Sequence, residues 1–387
     1  MYTILRLNEI SPIAFKALGD KFSMSPDAEN PVAVMVRSAA MHDLALPASV
    51  LCVARAGAGV NNIPVDAYTQ KGVVVFNTPG ANANAVKELV LCALLLGSRQ
   101  IVPAIQWAKT LIGKGADVPK LVEKGKNAFV GPEITGKTLG VIGLGAIGAR
   151  VANAAVDLGM DVLGYDPYIS IDGAWNLSNF VRRETDLARL FGQCDYITLH
   201  LPYSPATKDY VNAAGFAKMK QGAVLINCSR AELVSAPDLT VALATGKLSR
   251  YITDFPTEEM LTLENVIAIP HLGASTPEAE DNCAEMAARQ LVDYITEGNI
   301  TNSVNFPRVF LPREGKVRVT VIHENAKSVL TKLTDTVSAE KINIANMISQ
   351  AKGEYAYTIL DLDDNISAAT AEKLAKQEHV VKVRVIR

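Results

Sequence analysis

The apolar run TLGVI, from Thr138, passes directly into Gly143, Gly145 and Gly148, three glycines within six positions, and few folds can use that pattern. Between a strand and a helix, G-x-G-x-x-G marks a βαβ unit. The first glycine permits the tight turn, the second lets backbone approach a pyrophosphate, and the third lets the helix lie against the strand. The pyrophosphate then rests on the positive end of the helix. Eighteen residues beyond Gly148, Asp166 closes the following strand. An acidic side chain there accepts hydrogen bonds from the adenosine ribose and repels a 2′-phosphate, so turn and aspartate together read as a site for NAD in preference to NADP. A strand reversal with a helix-capping aspartate is the plainer alternative.

A second glycine turn, AGAGVNN with Gly57 and Gly59, does not repeat the pattern. Asn62 stands where the third glycine would fall, and no acidic residue closes the next strand, VVVFNTPG. It reads as a strand-end loop lining a cleft.

Around these turns, short apolar runs alternate with helical patterns, which predicts βαβ units and parallel sheets. The first series (AVMVRSA, VLCVARAGAGV, VVVFNTPG) is interrupted by the lysine- and glycine-rich LIGKGADVPKLVEKGKNAFVGPEITGK, and the second begins at TLGVIGLG. A long helical pattern from Pro277 to about Glu297 returns the chain to the first domain, and VNFPRVFLPREG follows as a proline-bearing linker. The remainder reads strand, helix, strand, strand, helix, strand, the ferredoxin-like order. The expected fold is α/β: a discontinuous flavodoxin-like substrate domain (1–98 and 275–305), a doubly wound Rossmann domain (99–274), a linker (306–315) and a small βαββαβ domain (316–387).

A net charge of −2 with 20% charged residues favours neither nucleic acid nor an anionic membrane as partner. Five single cysteines without a CxxC pair, and no targeting segment ahead of YTILRLNEI, lead to the expectation of a reduced, cytoplasmic protein with no metal site. The most apolar stretch, LVLCALLLG, falls well short of the ~20 residues a membrane helix needs.

In doubly wound sheets ligands bind outside the carboxyl ends of the strands. Three such ends carry Arg230 in NCSRAEL, Glu258 in DFPTEEM and His271 in AIPHLGAST; His200 in TLHLP is the other histidine at a strand end. A carboxylate beside an imidazole favours its protonated form, and a guanidinium grips a carboxylate and polarises a carbonyl. Each residue alone could be structural, but the three together in one dinucleotide domain fit acid/base redox chemistry on an anionic substrate.

These stretches, with VRSAAMH, VARAGAGVNNIPVDAYTQKGVVVFNTPGANANAVKELV, LHLPYSPATKDYVN, LINCSRAELV and PHLGAST, resemble the D-isomer-specific 2-hydroxyacid dehydrogenase family nearly end to end. The resemblance implies that His271 is the acid/base, Glu258 its partner and Arg230 the substrate-gripping residue. Cofactor contacts then fall on Gly143, Gly145, Ala146, Ile147, Gly148, Asp166, His200, Pro202, Thr207, Cys228, Ser229, Arg230, Thr253, Asp254, His271, Leu272, Gly273 and Ala274. Arg37, Ser38, Arg55, Gly57 and Asn82 map to the substrate-facing lobe, where the arginines can hold a phosphate. That points to 3-phosphoglycerate, with other small 2-hydroxyacids (glycerate, glyoxylate, 2-hydroxyglutarate) and an NAD-responsive non-catalytic binding protein as alternatives.

The last domain resembles the ACT domain, with His323, Asn325 and Asn343 as candidates for an amino-acid effector such as serine; simple assembly into a homodimer or homotetramer is the other reading. Three departures stand out: SRAELVSA replaces the family's SRGGVVDE, HENAKSVL replaces HENRPGVL, and Thr253 occupies a common aspartate position with Asp254 beside it. Either of that pair is a candidate for the nicotinamide amide.

Overall fold

The computed structural model describes residues 1–387, the side chain of Asp172 excepted. The chain forms two compact units, Met1–Asn82 with Pro277–Arg387, and Ala83–Thr276.

The first unit opens with β1 (Tyr2–Arg6), α1 (Ile13–Leu18), β2 (Phe22–Ser25), β3 (Ala33–Val36), β4 (Cys52–Arg55), α2 (Val65–Gln70) and β5 (Val74–Phe76). The strands pair in parallel in the order β2-β1-β3-β4-β5. Every residue of β3 is buried, as expected of a parallel strand covered on both faces.

The second unit contains α3 (Ala83–Ser98), α4 (Ile101–Lys109), α5 (Val118–Gly125), β6 (Thr138–Ile142), α6 (Ala146–Asp157), β7 (Asp161–Tyr165), α7 (Ile171–Trp175), β8 (Val181–Arg183), α8 (Leu187–Gln193), β9 (Tyr196–Leu199), α9 (Ala213–Lys218), β10 (Ala223–Asn227), α10 (Ala236–Ala244), β11 (Leu248–Thr253), α11 (Glu258–Leu261) and β12 (Val266–Ala268). Its seven strands run parallel in the order β12-β11-β10-β9-β6-β7-β8. The order reverses between β6 and β9, the kind of switch point beside which doubly wound sheets bind their ligands.

The chain then returns to the first unit through α12 (Pro277–Glu297), β13 (Val317–Glu324), α13 (Val329–Ser338), β14 (Ile344–Lys352), β15 (Tyr355–Leu362), α14 (Ala368–Ala375) and β16 (Val380–Ile386). The last four strands form an antiparallel sheet, β14-β15-β13-β16, the ferredoxin-like arrangement.

Two boundaries differ from the sequence expectation. Helix α3, expected to close the first domain at residue 98, groups with the second unit because Val86, Val90, Ala93 and Leu94 pack into its core with Leu139, Val141 and Ile252. The units therefore divide at 82/83 and 276/277. The C-terminal sheet groups with the first unit. Its Val317, Val319, Val321, Leu360 and Leu362 pack beneath α13 and α14, while Ile322, Tyr357 and Ile359 join the core built by Phe76, Leu291 and Tyr294.

Candidate active site

On the second unit, the G-x-G-x-x-G turn joins β6 to α6. A Cβ on Gly143 would lie 2.6 Å from the His200 carbonyl oxygen, and one on Gly148 only 1.9 Å from that of Gly143, whereas one on Gly145 would meet nothing within 4 Å. The first and third glycines therefore make the packing, and the second leaves open space at the start of a twelve-residue helix whose N-terminus has no side-chain cap. Asp166 accepts the Leu144 N–H at 2.8 Å and the Tyr168 N–H at 2.9 Å, tying the glycine turn to the end of β7.

His200 pairs through Nε2 with Thr198 Oγ1 at 3.0 Å. Its Nδ1 is buried with no partner among the described residues, and burial pushes its pKa down to about 3. An open glycine cradle, a free helix N-terminus and an orphaned buried nitrogen together fit a dinucleotide. Pro202 and Thr207 sit in the next loop, where the Thr207 hydroxyl donates to the Pro202 carbonyl at 2.8 Å. Buried Cys228 leads into Ser229, whose hydroxyl donates to the Leu199 carbonyl at 2.6 Å.

Arg230 and His271 both bear on one ring that the sequence reading missed. The Phe255 centroid lies 5.5 Å from the Arg230 guanidinium carbon and 4.6 Å from the His271 ring centroid. Arg230 also donates from Nη1 to the Ser229 carbonyl at 2.6 Å. The expected contact between Glu258 and His271 is not made: among the described residues no hydrogen bond or ion pair joins them, and Glu258 is exposed at the first position of α11. Phe255 is the residue against the imidazole instead. An aromatic side chain just past a strand end was the available signal.

The Thr253–Asp254 pair closes β11 with both side chains buried. Thr253 is wholly buried, with its Oγ1 accepting the Phe255 N–H at 3.0 Å. Asp254 is 1% exposed and turns its carboxylate inward, Oδ1 accepting the Leu272 N–H at 2.7 Å and Oδ2 the Gly273 N–H at 2.8 Å. Burial raises its pKa, while the two amides act to lower it. Both side chains are thus engaged by the chain's own backbone.

On the first unit, Arg37 and Ser38 follow β3, and Arg55 ends β4. Asn8 Oδ1 accepts the successive N–H groups of Arg37, Ser38 and Ala39 at 3.1, 3.0 and 2.9 Å, a role the sequence reading missed. Arg55 Nε donates to the Arg37 carbonyl at 3.0 Å, and Arg37 Nη2 pairs with Glu280 Oε1 of α12 at 2.5 Å. A Cβ on Gly57 would lie 2.7 Å from Arg55 Nη1, so glycine makes room for the guanidinium. Asn82 is half-buried at the end of this part of the chain.

Residues 93–273 match the family described as D-isomer specific 2-hydroxyacid dehydrogenase, NAD binding domain. The Haemophilus influenzae D-3-phosphoglycerate dehydrogenase is 35% identical over 340 residues, covering 85% of this chain and 79% of that protein. The chain belongs to the D-isomer specific 2-hydroxyacid dehydrogenase family. The Methanocaldococcus jannaschii D-3-phosphoglycerate dehydrogenase is 37% identical over 272 residues, 69% of this chain and 49% of that protein, so the chain spans about half its length. Among solved structures, the NAD+-bound 3-phosphoglycerate dehydrogenase of Entamoeba histolytica aligns with a TM-score of 0.59 and 27% identity, covering 80% of this chain and 99% of that one.

In this dehydrogenase the effector candidates are not gathered at one point. His323 is buried in β13, Nδ1 donating to the Glu324 carbonyl at 2.7 Å and Nε2 accepting from Thr358 Oγ1 at 2.9 Å, and burial lowers its pKa. Asn325 is exposed beyond the same end of the strand, whereas Asn343, bonded to Asp363 Oδ2 at 2.7 Å, precedes β14 at the opposite end of the sheet. In the turn that departs from HENRPGVL, Ser328 stands in the left-handed region at φ +65°.

Proposed function

We propose that this enzyme uses NAD to oxidise 3-phospho-D-glycerate to 3-phosphohydroxypyruvate, the first step of phosphorylated serine synthesis. The observation that carries the reading is the placement of Arg230 and His271 against Phe255, at strand ends of the sheet that also bears the open glycine cradle. The relatives named for the same activity and the Arg37–Arg55 arrangement support the phosphorylated substrate.

NAD, held at Gly143–Gly148 and Asp166, supplies the hydride acceptor when bound. His271 takes the proton of the C2 hydroxyl on a ring nitrogen. Arg230 grips the substrate carboxylate and stabilises negative charge on the C2 oxygen as its proton leaves. Glu258 acts as partner to the imidazole by turning towards it from α11. Arg37 and Arg55 hold the phosphate through charge-assisted hydrogen bonds.

NADH oxidation with 3-phosphohydroxypyruvate, hydroxypyruvate, glyoxylate and 2-oxoglutarate tests this, with NADPH on the best substrate. Preference for the phosphorylated acid with NADH is expected. One observation favours an unphosphorylated acid, namely that the Arg37 guanidinium already faces a carboxylate, and preference for glyoxylate or hydroxypyruvate would establish that reading instead.

Residues 316–387 are proposed as an ACT-type assembly and effector domain of a cytoplasmic homodimer or homotetramer. The outer strand β14 offers an unpaired edge to a second copy. His323 and Asn343 are separated by the length of β13, about 20 Å for six strand residues, so one serine touching both needs them from two copies. Light scattering gives the assembly, and serine calorimetry with rate measurement tests the effector.

A further inference from the structure

The segment Thr253–Asp254–Phe255 at the end of β11 is built as a frame for the histidine loop. Its own position is fixed first: the Asp254 N–H donates to the Asn227 carbonyl at 3.2 Å, and the Thr253 carbonyl accepts the Ile269 N–H at 2.8 Å. From this frame hangs the next loop, with the His271 N–H shared between the carbonyls of Asp254 and Ile269 at 3.1 and 3.0 Å. His271 stands at φ +53°, a left-handed conformation that an L side chain holds only when its surroundings over-determine it. The Asp254 carboxylate supplies that constraint, with one oxygen on each of the two amides that follow His271. A Cβ on Gly273 would lie 2.9 Å from Asp254 Oδ2, so this close approach requires glycine. Among the described residues no cation is ion-paired with the Asp254 carboxylate, whose charge is met by backbone amides.

We propose that Asp254 is a positioning residue for the oxidoreductase reaction, its buried carboxylate clamping the Leu272 and Gly273 amides so that His271 is held against Phe255. The inference rests on the reading of His271 as the acid/base. Proton transfer depends steeply on placement, because a displacement of about 1 Å costs on the order of a hundredfold in rate. Asparagine at 254 keeps the shape but offers one carbonyl oxygen to two N–H donors, so one amide loses its acceptor.

The test measures kcat and melting temperature for D254N, H271N and the double variant. D254N is expected to lower kcat by about 10- to 100-fold. Because Asp254 acts through His271, adding D254N to H271N is expected to cost less than about twofold more. The same fold-loss in both backgrounds would make Asp254 a general structural staple and overturn the proposal, as would unchanged kcat in D254N. If H271N turns over like the wild type, the acid/base reading falls and takes this inference with it; an inactive H271N beside a fully active D254N refutes the inference alone. Should D254N fail to fold, D254E keeps the charge and moves it by one methylene. A kcat loss is expected there too, and wild-type kcat in D254E would refute the clamp.

Discussion

Arg318 and Asp361 face each other across β13 and β15 in a two-pronged ion pair, Nε to Oδ1 and Nη2 to Oδ2 at 2.7 Å each, with both side chains wholly buried. Arg318 Nη1 reaches on to the Glu297 carbonyl at 2.8 Å, capping the last turn of α12 with a cation. Removing one partner of such a pair strands a charge in the interior, which costs about 3–5 kcal/mol. R318M is therefore expected to lower the urea midpoint sharply, and R318M/D361L to recover part of the loss because no charge is left unpaired. A loss below about 1 kcal/mol in R318M would mean that water reaches the Asp361 carboxylate.

This pair also marks where the sequence stopped being legible. The stretch KVRVTVIHE reads as a strand, and its Val317, Val319 and Val321 pack beneath α13 and α14. The other face carries Arg318, Thr320 and, from β16, Arg384, residue types that are mostly exposed in folded proteins. It is instead fitted to the end of α12, where Arg384 donates to the Tyr294 and Ile295 carbonyls at 3.1 and 2.9 Å and Tyr357 donates to Gly298 at 2.6 Å. Buried polar groups satisfied by distant backbone carry no periodic signal. The glycine turn was readable because each glycine answers a local steric demand. Phe255, Asn8 and the inward turn of Asp254 were not, since each depends on a loop from elsewhere in the chain.

Glu280 pairs with Arg37 across half-exposed surface, the two side chains being 42% and 44% exposed. An exposed pair of this kind holds about 0.2–1 kcal/mol, so a substrate anion displaces it at a cost of about 1.5- to 5-fold in affinity. E280Q is expected to lower KM for 3-phosphohydroxypyruvate by that factor while leaving kcat and the KM for glyoxylate unchanged. A higher KM would show that Glu280 orients Arg37 for the substrate rather than competing with it.

His200 links stability to pH with a definite sign. Its folded pKa is pushed down to about 3, while an unfolded histidine titrates near 6.5. Above pH ~6.5 neither state is protonated and the residue makes no pH-dependent contribution. As pH falls towards 3 only the unfolded chain takes up the proton, so stability falls by about 1.4 kcal/mol per pH unit. Buried His323 acts in the same direction. Urea midpoints at pH 7.5, 6 and 5 are expected to decline less steeply for H200N than for the wild type; parallel declines would show that His200 is protonated in the folded protein.

Gly145 and Gly148 separate folding from cofactor binding within one turn. Gly148 cannot carry a Cβ without moving α6 off the β6 turn, because the added atom would sit 1.9 Å from the Gly143 carbonyl oxygen. G148A is expected to lose about 1–3 kcal/mol of stability and NADH binding with it. Gly145 has φ −70°, which alanine adopts freely, and nothing of the chain within 4 Å of its Cβ position. G145A is thus expected to unfold within about 0.5 kcal/mol of the wild type. If that open space receives the dinucleotide pyrophosphate, the methyl group excludes it, and NADH titrated by fluorescence will bind G145A at least about tenfold more weakly, 1.4 kcal/mol. Wild-type NADH affinity in a folded G145A would place the pyrophosphate elsewhere and return the turn to a purely structural role.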